Sequence, residues 1–277
     1  MYKRRIAAVI CAAMLCGCGS SYQGLDMGAM ASAGQKAIQA ATISDDYIRQ
    51  YVSQYVAATD AESVIAPAGS PYAVRLANLT RPFAGSGFNF KVYITQDMNA
   101  FAVADGSIRV YSGLMDIMDD NELLGIIGHE IGHVHNKDTK DAFKRALLAS
   151  ALRDGLMGVG GTVGVLSASE LGALAEGLSQ AQYSQKQEYE ADEYGYRFLK
   201  QHGINPWAMA MALEKLHAME QKAGSVRTSG MMQLFSTHPQ MENRMERLAK
   251  MAAKDGYTRP SGGSPSTSQG TSGEWSF

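Results

Sequence analysis

Two histidines stand four residues apart around a glutamate, His129-Glu130-Ile131-Gly132-His133, in the pattern H-E-x-x-H. On a helix, positions four apart lie one above the other on one face. Both imidazoles can then turn a nitrogen toward a common point, about 2 Å from a shared metal ion. Glu130 follows about 100° around the helix, where its carboxylate can reach water activated by that metal without displacing it. The chemistry is metal-assisted hydrolysis with Glu130 as general base. In a chain of 277 residues with 6 His and 27 acidic residues, the pattern arises by chance in well under about one case in a hundred.

Two histidines leave a catalytic zinc short of its usual three protein ligands and open position. All three cysteines, at positions 11, 16 and 18, lie near the N-terminus. The body of the chain therefore offers no thiolate, and the third ligand must be His, Asp or Glu. Glu188 and Asp192, in Glu188-Tyr189-Glu190-Ala191-Asp192, share a face at i, i+4. One can ligate the metal while the other accepts the N–H of a ligating histidine. Spacing alone does not say which, and a run of acids is as readily a solvated helix face. His135 is carried off the metal-facing side.

The elements that position these groups can be read outward from the motif. Asp119, Asp120, Asn121 and Glu122 supply a cap and first-turn acids, and Leu123, Leu124, Ile126 and Ile127 make a buried helix. Gly125, Gly128 and Gly132 fall near one face and cost about 1 kcal/mol each in helix propensity, so something must approach that face closely. Upstream, helices are expected from Ser44 and over Tyr72–Phe83, with a break at Pro67 to Pro71. Three short strands follow, FKVYIT (90–95), NAFAVA (99–104) and IRVY (108–111), read as a small antiparallel sheet. The NAFAVA edge, Asn99, Ala100, Phe101 and Ala102 included, either binds an extended peptide through its backbone or is a plain core hairpin. A short helix at 113–118 leads into the motif.

Downstream, Thr139–Arg153 continues as amphipathic helix. Gly155–Leu166 is an apolar, glycine-rich loop, either a lid or membrane-touching element or an ordinary connection. A long helical pattern covers Ser169 to about His202, a further helix runs from Pro206 to about Lys222, and a last one covers Gln240–Lys254. Met209, Met211 and Met219 read as core, and His202 and His217 as structural. The Ser/Gly/Thr/Pro-rich stretch from Asp255 to Phe277 reads as a disordered tail.

The balance of 25 bases to 27 acids gives no nucleic-acid signature. Lys3, Arg4 and Arg5 precede an apolar run from Ile6 to Leu15, which is too short to span a bilayer. This reads as a signal peptide over residues 1–17. Leu15-Cys16-Gly17-Cys18 has the form of a bacterial lipobox, with Cys18 as the lipidated residue. Residues 18–43, rich in Gly, Ala, Ser and Met, would then be a lipid-anchored tether. Gly19 after the cysteine points by analogy to the outer membrane.

HEIGH at 129–133, EYEAD at 188–192 and THP at 237–239, over roughly residues 44–254, resemble the zinc metallopeptidases that include the CAAX prenyl protease and HtpX. The lipobox and NAFAVADGSIRVYSGLMD are similar to their LoiP-type periplasmic lipoprotein branch. The resemblance implies an α+β, mostly helical, gluzincin-type domain with the H-E-x-x-H helix at the active-site cleft and one Zn2+ per chain. It implies Glu188 as third ligand, Asp192 supporting the first histidine, His238 stabilising the oxyanion and Arg244 placing His238. It further implies an endopeptidase acting on misfolded or unassembled envelope proteins from the periplasmic side, and it leaves self-association into homo-oligomers open. Two rivals remain: a non-catalytic envelope chaperone, and a hydrolase of cell-wall peptides.

Overall fold

The structure is a computed structural model that describes residues 45–154, 166–223 and 234–261. The expected signal peptide and tether, the glycine-rich segment 155–165 and the chain beyond 261 lie outside the described residues. Helix α1 spans Asp45–Glu62. Helix α2, Pro71–Leu79, begins where Ser70 accepts the Ala73 N–H and proline fills the first turn. It stops short of Phe83, which sits in a separate 3-10 turn over Arg81–Phe83. Strands β1 (Asn89–Tyr93), β2 (Ala100–Ala102) and β3 (Ser107–Tyr111) follow, then helix α3, Ser112–Ile117.

The sheet is mixed, not antiparallel. Its order is β1-β3-β2, with β1 parallel to β3 and β2 antiparallel to β3. Each strand reverses the one before it, as in a meander, but the third slots between the first two. Burial gives the reason. Ile108 and Val110 of β3 are fully buried, and the strand is the most enclosed of the three, so it takes the centre and leaves the three-residue β2 at an edge. On the opposite face of β3, buried Arg109 donates through Nε and Nη2 to the two oxygens of Asp60 at 2.8 and 3.0 Å. That pair ties the sheet to the end of α1.

Helix α4, Asp120–His135, carries the motif and is buried from Glu122 through His133. Its start is a capping box in which Asp119 and Glu122 satisfy each other's backbone N–H groups. The close approach implied by its glycines is made by helix α7, Gln185–Gln201. A Cβ at Gly128 would stand 3.0 Å from the Gly195 Cα, and one at Gly132 would stand 2.9 Å from the Tyr194 Cβ. The stripe thus brings the two helices that bear the candidate ligands into backbone contact.

Helix α5 covers Asp138–Asp154 and helix α6 covers Ala168–Ser179. The single long helix expected over Ser169–His202 is therefore two, because Ser184 with Gln187 forms a fresh capping box and starts α7. Helix α8, Trp207–Ala223, and helix α9, Met241–Lys254, complete the described elements, with a helical turn at 234–237 ahead of α9. Residues 255–261, expected to open a disordered tail, are instead held in place. Asp255 accepts from Tyr196 Oη at 2.8 Å and Lys200 Nζ at 2.6 Å, and Trp207 Nε1 donates to the Tyr257 carbonyl at 3.0 Å. These bonds fasten the segment after α9 onto α7 and α8. Of the methionines read as core, Met209 is fully buried.

Candidate metal centre

On α4, His129 and Glu130 are each 3% exposed and His133 is fully buried. Glu188 and Asp192 arrive on α7, also fully buried, and share one face as their spacing requires. His238 enters from the link between the 234–237 turn and α9, and Arg244 from α9 itself. Two non-glycine residues with positive φ, Lys137 at 66° and Gln240 at 63°, bound sharp turns beside the site. One immediately precedes Asp138 and the other follows His238-Pro239.

The ligand atoms converge. His129 Nε2 and His133 Nε2 are 3.1 Å apart, and His133 Nε2 lies 3.4 Å from Glu188 Oε1. Donors about 2.1 Å from a tetrahedral zinc are separated by about 3.4 Å, so the set fits that ion. The outer nitrogens strengthen the argument. His129 Nδ1 lies 3.0 Å from Asp192 Oδ1, and His133 Nδ1 lies 2.9 Å from Asp138 Oδ2. Each carboxylate keeps a proton on Nδ1, so in the neutral rings both Nε2 lone pairs point inward at each other. Such a buried arrangement calls for a cation between them. His238 Nδ1 lies 3.3 Å from His129 Nε2 and 3.0 Å from Glu188 Oε1, so the four groups His129, His133, Glu188 and His238 could all face one ion. Ligation by His238 would close the coordination sphere, and the water that a hydrolase needs requires that ring to stand off the metal.

Electrostatics suit the same set. Burial holds His129 below its ordinary value, hence neutral as a ligand must be. Burial would depress His133 too, but Asp138, Glu188 and Glu130 outweigh it and raise the ring to about 9, so a metal binding there must displace a proton from Nε2. Burial opposes ionisation of Glu188 and Asp192. Glu188 is nonetheless held well below the usual carboxylate range by His238, Arg244 and His133, and Asp192 is lowered to about 2 by Arg244 and His129.

The structure brings His129, Glu130, His133, Glu188, Asp192 and His238 together. It revises Arg244. The guanidinium grips Asp192 through Nε and Nη2 at 2.9 and 2.6 Å and pairs with Glu188, instead of placing His238. The physical reason is charge: two buried carboxylates on α7 outcompete an imidazole for a buried cation. His135 lies against Tyr194, outside the site. Of the four edge-strand residues, Asn99 and Phe101 belong to the register that faces β3. Ala100 and Ala102 turn their backbone groups away from β3, and the Ala102 N–H donates to Glu130 Oε2 on α4 at 3.1 Å.

Two residues escaped sequence reasoning. Asp138 orients His133, and its only trace in the sequence is a carboxylate three residues past the end of α4. Tyr183 stacks on the His133 ring with centroids 4.0 Å apart and planes 16° apart. No local pattern marks it, because it sits in the break that splits the long helical stretch.

Residues 72–252 match the family described as Peptidase family M48. Metalloprotease LoiP of Escherichia coli (strain K12) is 40% identical over 255 residues, covering 91% of this chain and 97% of that protein. Metalloprotease YcaL of the same strain is 36% identical over 250 residues, covering 89% of this chain and 95% of the other. A Protease HtpX homolog of Thermococcus sibiricus is 32% identical over 199 residues, covering 58% of this chain and 67% of the other. This likeness runs through both helices that carry the donor atoms, and it places the chain in peptidase family M48, as a zinc-dependent metalloendopeptidase.

Proposed function

We propose that the enzyme cleaves misfolded or unassembled proteins of a bacterial cell envelope, with Glu130 as general base and His129, His133 and Glu188 as the zinc ligands. The observation that carries the base assignment is the position of Glu130. Its carboxylate is buried between the Ala102 N–H and His238 Nε2, at 3.1 and 3.7 Å, beside the donor set. Zinc, when bound, lowers the pKa of water toward about 7 and polarises the scissile carbonyl. Glu130 takes the proton of the attacking water and returns it to the leaving amine. His238, swung off Glu188, presents a ring N–H to the oxyanion, a contact worth about 3 kcal/mol in enzymes where one such donor has been removed. Asp192 and Asp138 hold the two ligating rings in the tautomer that leaves Nε2 bare. The outward edge of β2, whose Ala102 N–H meets Glu130 in the resting site, would hold an extended substrate backbone once that carboxylate turns to its water, which recognises a chain without reading its sequence. That indifference suits unfolded protein as substrate.

The envelope location rests on the lipobox at Leu15–Cys18, with Cys18 as the anchor. Residues 1–18 then direct export followed by lipidation, which holds the enzyme at the outer membrane facing the periplasm. No described helix is long and apolar enough to cross a membrane. Metal analysis of the purified chain, paired with chelation and zinc add-back while unfolded casein and purified peptidoglycan are offered side by side, tests the activity. Cleavage of casein that is lost on chelation and restored by zinc supports the reading, whereas release from peptidoglycan alone overturns it. Labelled fatty acid incorporated into wild type but absent from Cys18→Ala tests the anchor.

A further inference from the structure

Tyr183 has no part in the chemistry above, yet it stands among the groups that perform it. It lies in the link between α6 and α7, and its ring stacks on His133 with centroids 4.0 Å apart. Its centroid is 5.3 Å from that of His238, and the half-buried side chain lines the same cleft as Glu130, His238 and Ala102. Two hydrogen bonds tie its segment to the one that carries His238. The Tyr183 N–H donates to the Thr237 carbonyl at 3.2 Å, and Ser236 Oγ donates to the Ser179 carbonyl at 3.2 Å. The phenol and the imidazole are thereby held side by side.

Packing alone does not explain a tyrosine here. Phenylalanine would make the same stack at lower cost, because a hydroxyl taken out of water loses free energy unless it gains a partner. Among the described residues this hydroxyl donates no hydrogen bond. Burial, then the charges of Glu130, Glu188 and Asp138, push the phenol well above its ordinary value. The hydroxyl therefore keeps its proton and sits within the field of all three carboxylates.

We propose that the Tyr183 hydroxyl is a second donor to the substrate oxyanion, beside His238, and so a catalytic residue of this peptidase. The inference rests on the peptidase reading and deepens it. As water adds to the scissile carbonyl, the C=O π pair moves onto oxygen, and the phenolic O–H donates a hydrogen bond to that oxygen without releasing its proton. Glu130 passes the proton of the water to the leaving amine, the C–N bond breaks and the carbonyl re-forms, so Tyr183 ends the cycle unchanged. The stack on His133 fixes the plane of the phenol in advance, which makes it a preorganised donor.

Tyr183→Phe keeps the ring and removes one oxygen. In the full-length chain loaded with zinc, kcat on a quenched fluorescent peptide is expected to fall by about 100-fold, with KM within about twofold of wild type. Zinc content and the Tm of the metal-free protein should match wild type. A phosphinic peptide, whose tetrahedral phosphorus and its oxygen imitate the oxyanion, should lose affinity by the same factor as kcat/KM. Binding of the uncut peptide to Glu130→Gln should be equal with and without Tyr183→Phe. A Phe variant with kcat within about threefold of wild type, while Tyr183→Ala is impaired, reduces the residue to packing and overturns the proposal. So does a fall in kcat that tracks lost zinc, or an unchanged affinity for the phosphinic peptide. A wild-type enzyme that cuts nothing with zinc restored refutes the peptidase reading and the donor with it, whereas a cutting wild type matched by Tyr183→Phe refutes the donor alone.

Discussion

Replacing Asp138 by Asn changes one oxygen into an amide nitrogen and should weaken zinc binding by about 10- to 100-fold, or about 1.4–2.7 kcal/mol. The reason lies in a three-residue chain of hydrogen bonds. Ser184 donates its backbone N–H to Gln187 Oε1 at 3.0 Å, which fixes the amide of Gln187 with its nitrogen toward Asp138 Oδ1 at 2.8 Å. The other oxygen of Asp138 takes the His133 Nδ1 proton at 2.9 Å. An asparagine in its place could not serve both neighbours. With its oxygen toward His133, two amide nitrogens would face each other. With its nitrogen toward His133, the ring would have to carry its proton on Nε2, where the metal must bind. The side chain is buried, so water cannot relieve the conflict cheaply. Competition against a chelator of known affinity measures the loss. Adding Gln187→Ala to Asp138→Asn should recover part of it by removing the opposing donor, a coupling that a double-mutant cycle reads directly. Zinc affinity of Asp138→Asn within about twofold of wild type would refute the claim that Asp138 sets the His133 tautomer.

Other outcomes follow from the same contacts. Glu130→Gln should keep stoichiometric zinc by metal analysis yet lose about 10²–10⁴-fold in kcat, and a variant that cuts casein at the wild-type rate would remove Glu130 from the role of base. Arg244→Met strands the carboxylates of Asp192 and Glu188 in the interior. It should cost about 3–5 kcal/mol, a fall of roughly 6–20 °C in the Tm of the metal-free protein for a domain of this size. Burial would raise the Asp60 pKa, but hydrogen bonds from Arg109, Lys91 and Tyr93 outweigh it and hold the carboxyl well below the usual range. A depressed folded pKa contributes stability that is fully present above the unfolded value of about 4 and lost as pH falls below it. Acid unfolding followed by circular dichroism should therefore be steeper for wild type than for Asp60→Asn in that window.

Much of this was legible because it is local. The H-E-x-x-H spacing, the i, i+4 pairing of Glu188 with Asp192 and the glycine stripe of α4 each depend on helical periodicity, which a short stretch of sequence states outright. The stripe even implied a close neighbour, though not that α7 would be that neighbour. The split at 180–184 was hidden because Gln180 to Tyr183 carry no glycine or proline. A capping box at Ser184, not a breaker, ended the pattern.

By itself, then, the sequence determined which two imidazoles could share a metal, which carboxylate could move a proton and that the motif lies on a buried helix, since each follows from residue type and a period of a few residues. The tertiary structure alone decided the strand order, the duty of Arg244, the pairing of Asp138 with His133 and the stacking of Tyr183 on His133. The partners of α7 and α9 depend on which buried polar groups meet across 49 to 115 positions of chain, as in the Gln187–Asp138 and Arg244–His129 contacts. That competition is settled by packing and desolvation over the whole domain, and no local spacing records it.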